Sequence, residues 1–173
     1  MAIVIIPQTK LDIQPVNLAQ KLLRLNIGFL LNASVSTARE LHFDDPQLLF
    51  EDHFVVTDFK GVVRMTRTQQ GILFEGDFTG TVPGECGRCL CTFEMPVKAQ
   101  FEELFHFRAR SISDADLILP EDGYVELAPV VQEYFILDIP INPLCKEDCR
   151  GLCIECGANL NETTCVHQQA ENG

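Results

Sequence analysis

Residues 71–102 read GILFEGDFTGTVPGECGRCLCTFEMPVKAQFE, two alternating runs on either side of a Cys-x-x-Cys. In the first run Ile72, Phe74, Phe78 and Val82 share one face, and Glu75, Asp77, Thr79 and Thr81 share the other. In the second, Phe93, Met95, Val97, Ala99 and Phe101 alternate with Glu94, Pro96, Lys98, Gln100 and Glu102. A period of two marks antiparallel strands with one buried face. Pro96 places the second strand at an edge or a bulge. Between the runs, Cys86-Gly87-Arg88-Cys89 carries sulfurs at i and i+3 of a hairpin turn. Such a knuckle aims two sulfurs at one metal, and Gly87 is the kind of residue its backbone permits.

Upstream, Phe54–Thr57 and Val62–Thr68 are strand candidates, and Gln69-Gln70-Gly71 is a turn. Gly61, Gly76 and Gly80 mark bends in a strongly curved sheet. Arg39–Phe43 reads as another strand, closed by a turn at Asp44-Asp45-Pro46. Asn17 is placed to cap a short helix, Leu18–Arg24. After it Leu25, Ile27, Phe29 and Leu31 alternate with Asn26, Gly28 and Asn32, a strand pattern. Downstream, 108–123 reads as an acidic solvated loop, since Asp114, Asp116, Glu121 and Asp122 do not match a calcium-loop spacing. Leu127, Val130, Val131, Tyr134, Phe135 and Leu137 recur at helical spacing; Pro129 suits the first turn and Pro140 stops the helix. The expected class is α+β. A curved antiparallel sheet, or a partly open barrel, carries one or two packed helices and a zinc-bound C-terminal tail. Residues 1–50 form a helix/strand segment packed on the main body, 51–143 the sheet and helix, and 144–173 the cysteine-rich tail, all within one globular domain.

The chain has 173 residues and is 46% apolar, enough for a real core. No apolar run approaches the ~20 residues that span a bilayer. The opening Met1-Ala2-Ile3-Val4-Ile5-Ile6-Pro7 is apolar but short and lacks a charged flank, unlike a signal peptide. The expected location is the cytoplasm. There, clustered cysteines point to metal or catalysis rather than disulfides. Five of the eight fall between positions 145 and 165, and none precedes Cys86.

The tail reads Cys145-x3-Cys149-x3-Cys153-x2-Cys156-Gly157-x7-Cys165-x-His167, with a second knuckle at Cys153–Cys156. Structural zinc takes four Cys or His ligands in a tetrahedron. The preferred partition pairs Cys86 and Cys89 with Cys145 and Cys149, and Cys153 and Cys156 with Cys165 and His167. Two rivals remain: a single site from Cys86, Cys89, Cys153 and Cys156, or one from Cys145, Cys149, Cys153 and Cys156. Zinc is thus expected as one or two structural ions. Cys91 reads as a small buried hydrophobe. His42, His53 and His106 lie in no motif that would make them ligands or bases. A thiol-redox protein is the catalytic alternative. Its Cys-x-x-Cys normally opens a helix of a βαβ unit, whereas this one joins strands.

The formal charge of −12 opposes extensive phosphate contact and favours a basic protein partner. Arg88, Lys146 and Arg150 stand beside candidate ligands and are the candidate RNA contacts. On the residues alone, a zinc-ribbon protein binding nucleic acid in transcription is the rival binding module.

One combination is distinctive: Cys86-Gly-Arg-Cys89-Leu90, an alternating strand, an acidic loop, a helix ending Leu137-Asp-Ile-Pro140, then Pro143-Leu-Cys145-Lys-Glu-Asp-Cys149-Arg-Gly-Leu-Cys153-Ile-Glu-Cys156-Gly-Ala-Asn-Leu-Asn161. It resembles the YceD family, the large ribosomal RNA subunit accumulation proteins of bacteria and plastids. The resemblance implies a non-enzymatic role in large-subunit assembly. The implied partner is a large-subunit precursor, met through a basic ribosomal protein or a local rRNA contact, with no membrane and no small-molecule substrate. Some members carry His where this chain has Cys145 and Cys149, which supports grouping that pair with Cys86 and Cys89.

Overall fold

The computed structural model describes residues 17–108 and 117–167. The alternating runs form its longest hairpin: β5 (Gly71–Glu85) and β6 (Thr92–His106) pair without slippage from Gly71↔His106 to Glu85↔Thr92. On the other side of β5 runs β4 (Val55–Arg67), then β3 (Ala38–Leu49), and last the two-residue β1 (Asn17–Leu18), parallel to β3. The strand order is β1-β3-β4-β5-β6. Its two ends do not meet, so the sheet is open, not a barrel. Between β1 and β3 lie α1 (Ala19–Leu22), β2 (Arg24–Asn26) and α2 (Gly28–Leu31). β2 pairs with β7 (Tyr124–Glu126) in a second, two-stranded sheet, and α3 (Ala128–Asp138) follows.

The core face carries the predicted set. Ile72, Phe74, Phe78, Val82, Met95, Val97, Ala99, Phe101 and Phe105 are all buried. Rings cross the strands: Phe59 stacks on Phe78 at 5.3 Å, Phe78 on Phe101 at 6.1 Å, and Phe101 meets Tyr134 of α3 at 5.3 Å. Such pairs contribute about 0.5–1.5 kcal/mol each beyond their buried area. α3 presents Val131 and Phe135 to this layer, and Phe135 stands edge-on to Phe50 and Phe59. Its last residue, Asp138, accepts a 2.8 Å bond from the Lys98 amide of β6. Pro129 lies in the first turn of α3, as the pattern predicts. Among the described residues no helix is long and apolar enough to cross a membrane.

Several expectations give way. Asp44-Asp45-Pro46 is not a turn, because β3 runs straight through it. The missing Pro46 amide lies opposite Asp58, where β4 bulges: Asp58 is left-handed (φ 50°) and the register slips between Thr57 and Lys60. The same bulge joins the two predicted strands 54–57 and 62–68 into one. The strand expected over Leu25–Leu31 splits at Asn26, whose Oδ1 accepts from the Gly28 amide at 2.9 Å and turns the chain into α2. Ile27 and Leu30 are then buried and Phe29 is not, a spacing of three that displaces alternation. The helix expected from Leu18 to Arg24 contracts to Ala19–Leu22, because Leu18 pairs with Leu49 and Arg24 with Glu126. It begins without a side-chain cap. In the 108–123 stretch, Asp114 and Asp116 lie outside the described residues. Glu121 and Asp122 are exposed, as a solvated loop requires, while Leu119 is buried and Ile118 bridges His106, so the end of the loop is anchored to the sheet. Leu137, placed in the apolar stripe of α3, is 72% exposed. His42 lies on the open face of the sheet beside Glu40.

Gly61 illustrates why small residues are needed in the sheet. A β-carbon there would strike the Phe78 ring and the Asp77 carbonyl on the neighbouring strand. Gly61→Ala is therefore expected to cost about 1–3 kcal/mol. Gly84→Ala, whose β-carbon meets only ordinary contacts with Phe93 and Met95, should stay near neutral. Urea unfolding of the two variants checks this.

Candidate metal centre

The unbroken register of β5 and β6 leaves six residues, Cys86 to Cys91, to form the hairpin tip. The Cys86 amide donates to the Cys91 carbonyl at 2.9 Å, and the Leu90 amide to the Cys86 carbonyl at 2.9 Å. Leu90 is left-handed, φ 57°. The tail repeats the turn. The Cys153 amide donates to the Ala158 carbonyl at 2.8 Å, and the Gly157 amide to the Cys153 carbonyl at 2.8 Å, with Gly157 at φ 71°. Leu90 and Cys91 thus occupy in the first knuckle the places of Gly157 and Ala158 in the second.

The tail folds back over the tip. The Gly87 amide donates to the Pro143 carbonyl at 2.8 Å, and the Leu152 amide to the Arg88 carbonyl at 3.1 Å. The Arg88 guanidinium donates to the Cys149 carbonyl at 2.9 Å. Gly151, left-handed at φ 74°, lets the tail pass close against the Arg88 backbone. Phe93, Leu144 and Leu152 pack around the sulfurs. Cys86, Cys89, Cys145 and Cys149 consequently gather with all four sulfurs within 4.8 Å of one another. The Cys86–Cys149 and Cys89–Cys145 separations are 3.7 and 3.6 Å. A tetrahedron with zinc–sulfur bonds of ~2.3 Å has edges of ~3.8 Å, so these four sulfurs have the spacing of a metal shell. Asn161 adds a bond from Nδ2 to the Cys149 sulfur at 3.4 Å.

A second group gathers Cys153, Cys156, Cys165 and His167, again within 4.8 Å, with His167 Nδ1 3.9 Å from the Cys153 sulfur. It is the more open of the two: Cys153 is buried, Cys156 and His167 are exposed. Each group could hold a metal ion. These are the groupings of the preferred partition. The two rival sets would draw ligands from both groups.

The electrostatics favour anionic sulfur where the knuckles begin. The Cys145 amide, with help from those of Cys89 and Arg88, holds the Cys86 thiol down at about 6, against the opposing effect of burial. The amides of Cys156 and Glu155 bring Cys153 likewise to about 6. Cys145 moves the other way, raised by burial and then by neighbouring sulfurs. Anionic sulfurs crowded within one group repel one another, which is the demand a divalent cation answers.

Two residues take parts that spacing did not reveal. The Cys91 sulfur lies 3.2 Å from that of Cys89, in contact with the first group rather than packed away as a plain hydrophobe. Arg88 uses its guanidinium to fasten the tail, while Lys146 lies 3.9 Å from Asp148. Arg150 meets the tail through its amide, bonded to Asn161 Oδ1 at 2.9 Å.

Cys89→Ser should remove one metal ion per chain and cost about 4 kcal/mol or more, whereas Cys91→Ser should retain the metal and cost about 1 kcal/mol. Metal analysis and thermal melts distinguish them. Leu90→Gly should raise stability by up to about 1 kcal/mol, since the left-handed strain of a side-chain-bearing residue is relieved. Denaturant titration measures that gain.

The Cys86 tip and the whole tail fall within the stretch that a family profile matches. The chain is 27% identical over 114 residues to the uncharacterised protein Rv2926c of Mycobacterium tuberculosis, covering 63% of this chain and 55% of that one. It is 32% identical over 76 residues to YlbN of Bacillus subtilis, covering 41% and 44%. Over 46 residues it is 35% identical to the chloroplastic Large ribosomal RNA subunit accumulation protein YCED homolog 1 of Arabidopsis thaliana, covering 27% of this chain and 14% of that one. The chain spans about half the length of the mycobacterial relatives it matches. No solved structure matches it. The profile described as Large ribosomal RNA subunit accumulation protein YceD matches residues 74–173, more than half of the sequence, and the chain belongs to the YceD family.

Proposed function

We propose that the protein is a non-enzymatic ribosome-biogenesis factor of the cytoplasm that supports accumulation of large-subunit rRNA, with zinc as a structural element. The observation that carries this reading is the family match over residues 74–173, which takes in most of β5, all of β6 and α3, and both sulfur-rich groups. Cys86, Cys89, Cys145 and Cys149 would hold one zinc ion; Cys153, Cys156, Cys165 and His167 would hold a second. Bound there, zinc supplies cross-linking: it neutralises clustered thiolates and ties the tail to the hairpin tip.

The partner is a large-subunit precursor. With a net charge of −12, contact through a basic ribosomal protein is favoured over a broad phosphate groove. Any direct rRNA contact would be local and centred on Arg88, Lys146 and Arg150. It should therefore show a shallow salt dependence, with a slope of ~0.7 per phosphate on single strands and only a few phosphates engaged.

Removing the gene should lower large-subunit rRNA relative to small-subunit rRNA in growing cells. Re-expression of the wild-type chain should restore the ratio, and a Cys86→Ser, Cys89→Ser double variant should not. An unchanged ratio in the deletion would refute the reading. Titrations of rRNA fragments and of large-subunit proteins, each at several salt concentrations, then separate the two modes of contact.

A further inference from the structure

We propose that Cys91 is a redox modification site: a peroxide drives formation of a Cys89–Cys91 disulfide, which withdraws Cys89 from the first metal centre and releases its ion. The inference rests on the reading of that centre as a zinc site. Five sulfurs converge at the hairpin tip, and a tetrahedral ion uses four. The fifth, that of Cys91, is 3.2 Å from a ligand sulfur, nearer than any ligand pair whose separation is given above. A disulfide bond of ~2.05 Å requires the two atoms to close by only about 1.2 Å. Leu90, left-handed between them, already folds the chain into the tight turn that such a short loop needs. Cys91 is only half-buried, so a small oxidant can reach it.

The molecule contains its own control. The second knuckle has the same hydrogen bonds and the same left-handed residue, but Ala158 stands where Cys91 stands in the first. That position is filled by a methyl group without loss of the turn, so the thiol is not required by the fold. The second centre has no spare sulfur at this place and no equivalent route.

The chemistry balances in two steps. The Cys91 thiol attacks one peroxide oxygen; the O–O bond breaks, giving Cys91 sulfenic acid, and the other oxygen leaves as hydroxide, takes the Cys91 proton and departs as water. The Cys89 thiolate then leaves the metal and attacks the sulfenic sulfur; the S–S bond forms and the S–O bond breaks. The departing hydroxide takes a proton from solvent and leaves as water. The two sulfurs have lost two electrons to the peroxide. A disulfide offers no thiolate, so the ion is left with three ligands. A dithiol reductant reverses the change by exchange.

The test uses the full-length zinc-loaded protein and hydrogen peroxide, with zinc release followed by a chromogenic chelator. Trypsin cleaves after Arg88 and Lys98, leaving both cysteines in one peptide, Cys89–Lys98. The wild type should release one of its two ions, and this peptide should become two hydrogens lighter. Dithiothreitol and added zinc should reverse both changes. Cys91→Ala, the residue of the second knuckle, should start with the same zinc content and at most a slightly lower melting temperature, and release its ion several-fold more slowly; Cys91→Ser should behave alike. Full initial zinc with release indifferent to both substitutions would overturn this inference alone. Absence of zinc from the purified protein would overturn the zinc reading, and this inference with it.

Discussion

Convergence of four sulfurs at the far end of a hairpin of two fifteen-residue strands is the constraint on which the tail depends. Ordering a residue costs roughly 1–2 kcal/mol of backbone entropy, and ordinary segments offset this by burying apolar side chains. The segment from Leu144 onward has little to bury. Ile154 and Val166 are almost wholly exposed, and Leu152 and Leu160 are only partly covered. What it has instead is sulfur, amides aimed at sulfur, and two hydrogen bonds with Arg88, through the Leu152 amide and the Cys149 carbonyl. Small apolar-poor segments of this kind need a covalent or metal staple.

The sheet supplies the rigidity that makes the staple specific. β5 and β6 pair along their whole length, and the Phe59–Phe78–Phe101–Tyr134 row locks the hairpin to its neighbours and to α3. The knuckle is therefore held at a defined place rather than on a free loop. The second centre lacks this support. It is built wholly from the tail, and its exposed ligands follow from that. The two centres differ in role: one joins the tail to the sheet, the other closes the tail on itself.

Much of this was legible. Alternation exposed β5 and β6, because each buries one face only; Pro129 and helical spacing exposed α3; i, i+3 cysteines exposed both knuckles. What escaped depended on partners distant in sequence. Pro46 reads as a breaker until the Asp58 bulge is seen across from it. Leu25 to Leu31 alternates, yet the Asn26 side chain redirects the backbone and a spacing of three takes over. Leu137 has helical spacing but lies on the outer side of α3. Arg88 reads as a candidate RNA contact; spacing alone does not show that its guanidinium also donates to the Cys149 carbonyl. Cys91 reads as an apolar residue, because spacing alone cannot place its sulfur beside that of Cys89.

The separation of the first centre's halves along the chain also orders events in time. Cys89 and Cys145 are 56 residues apart. At ~5–20 residues per second, translation leaves the hairpin tip without its tail for about 3–11 s. Pairing of β5 with β6 is local and can be complete long before, since hairpins form in about 1–10 μs. The sheet must therefore stand on its aromatic layer alone during synthesis, with its thiols waiting. A metal at the first centre could be captured only after Cys145 and Cys149 have been made.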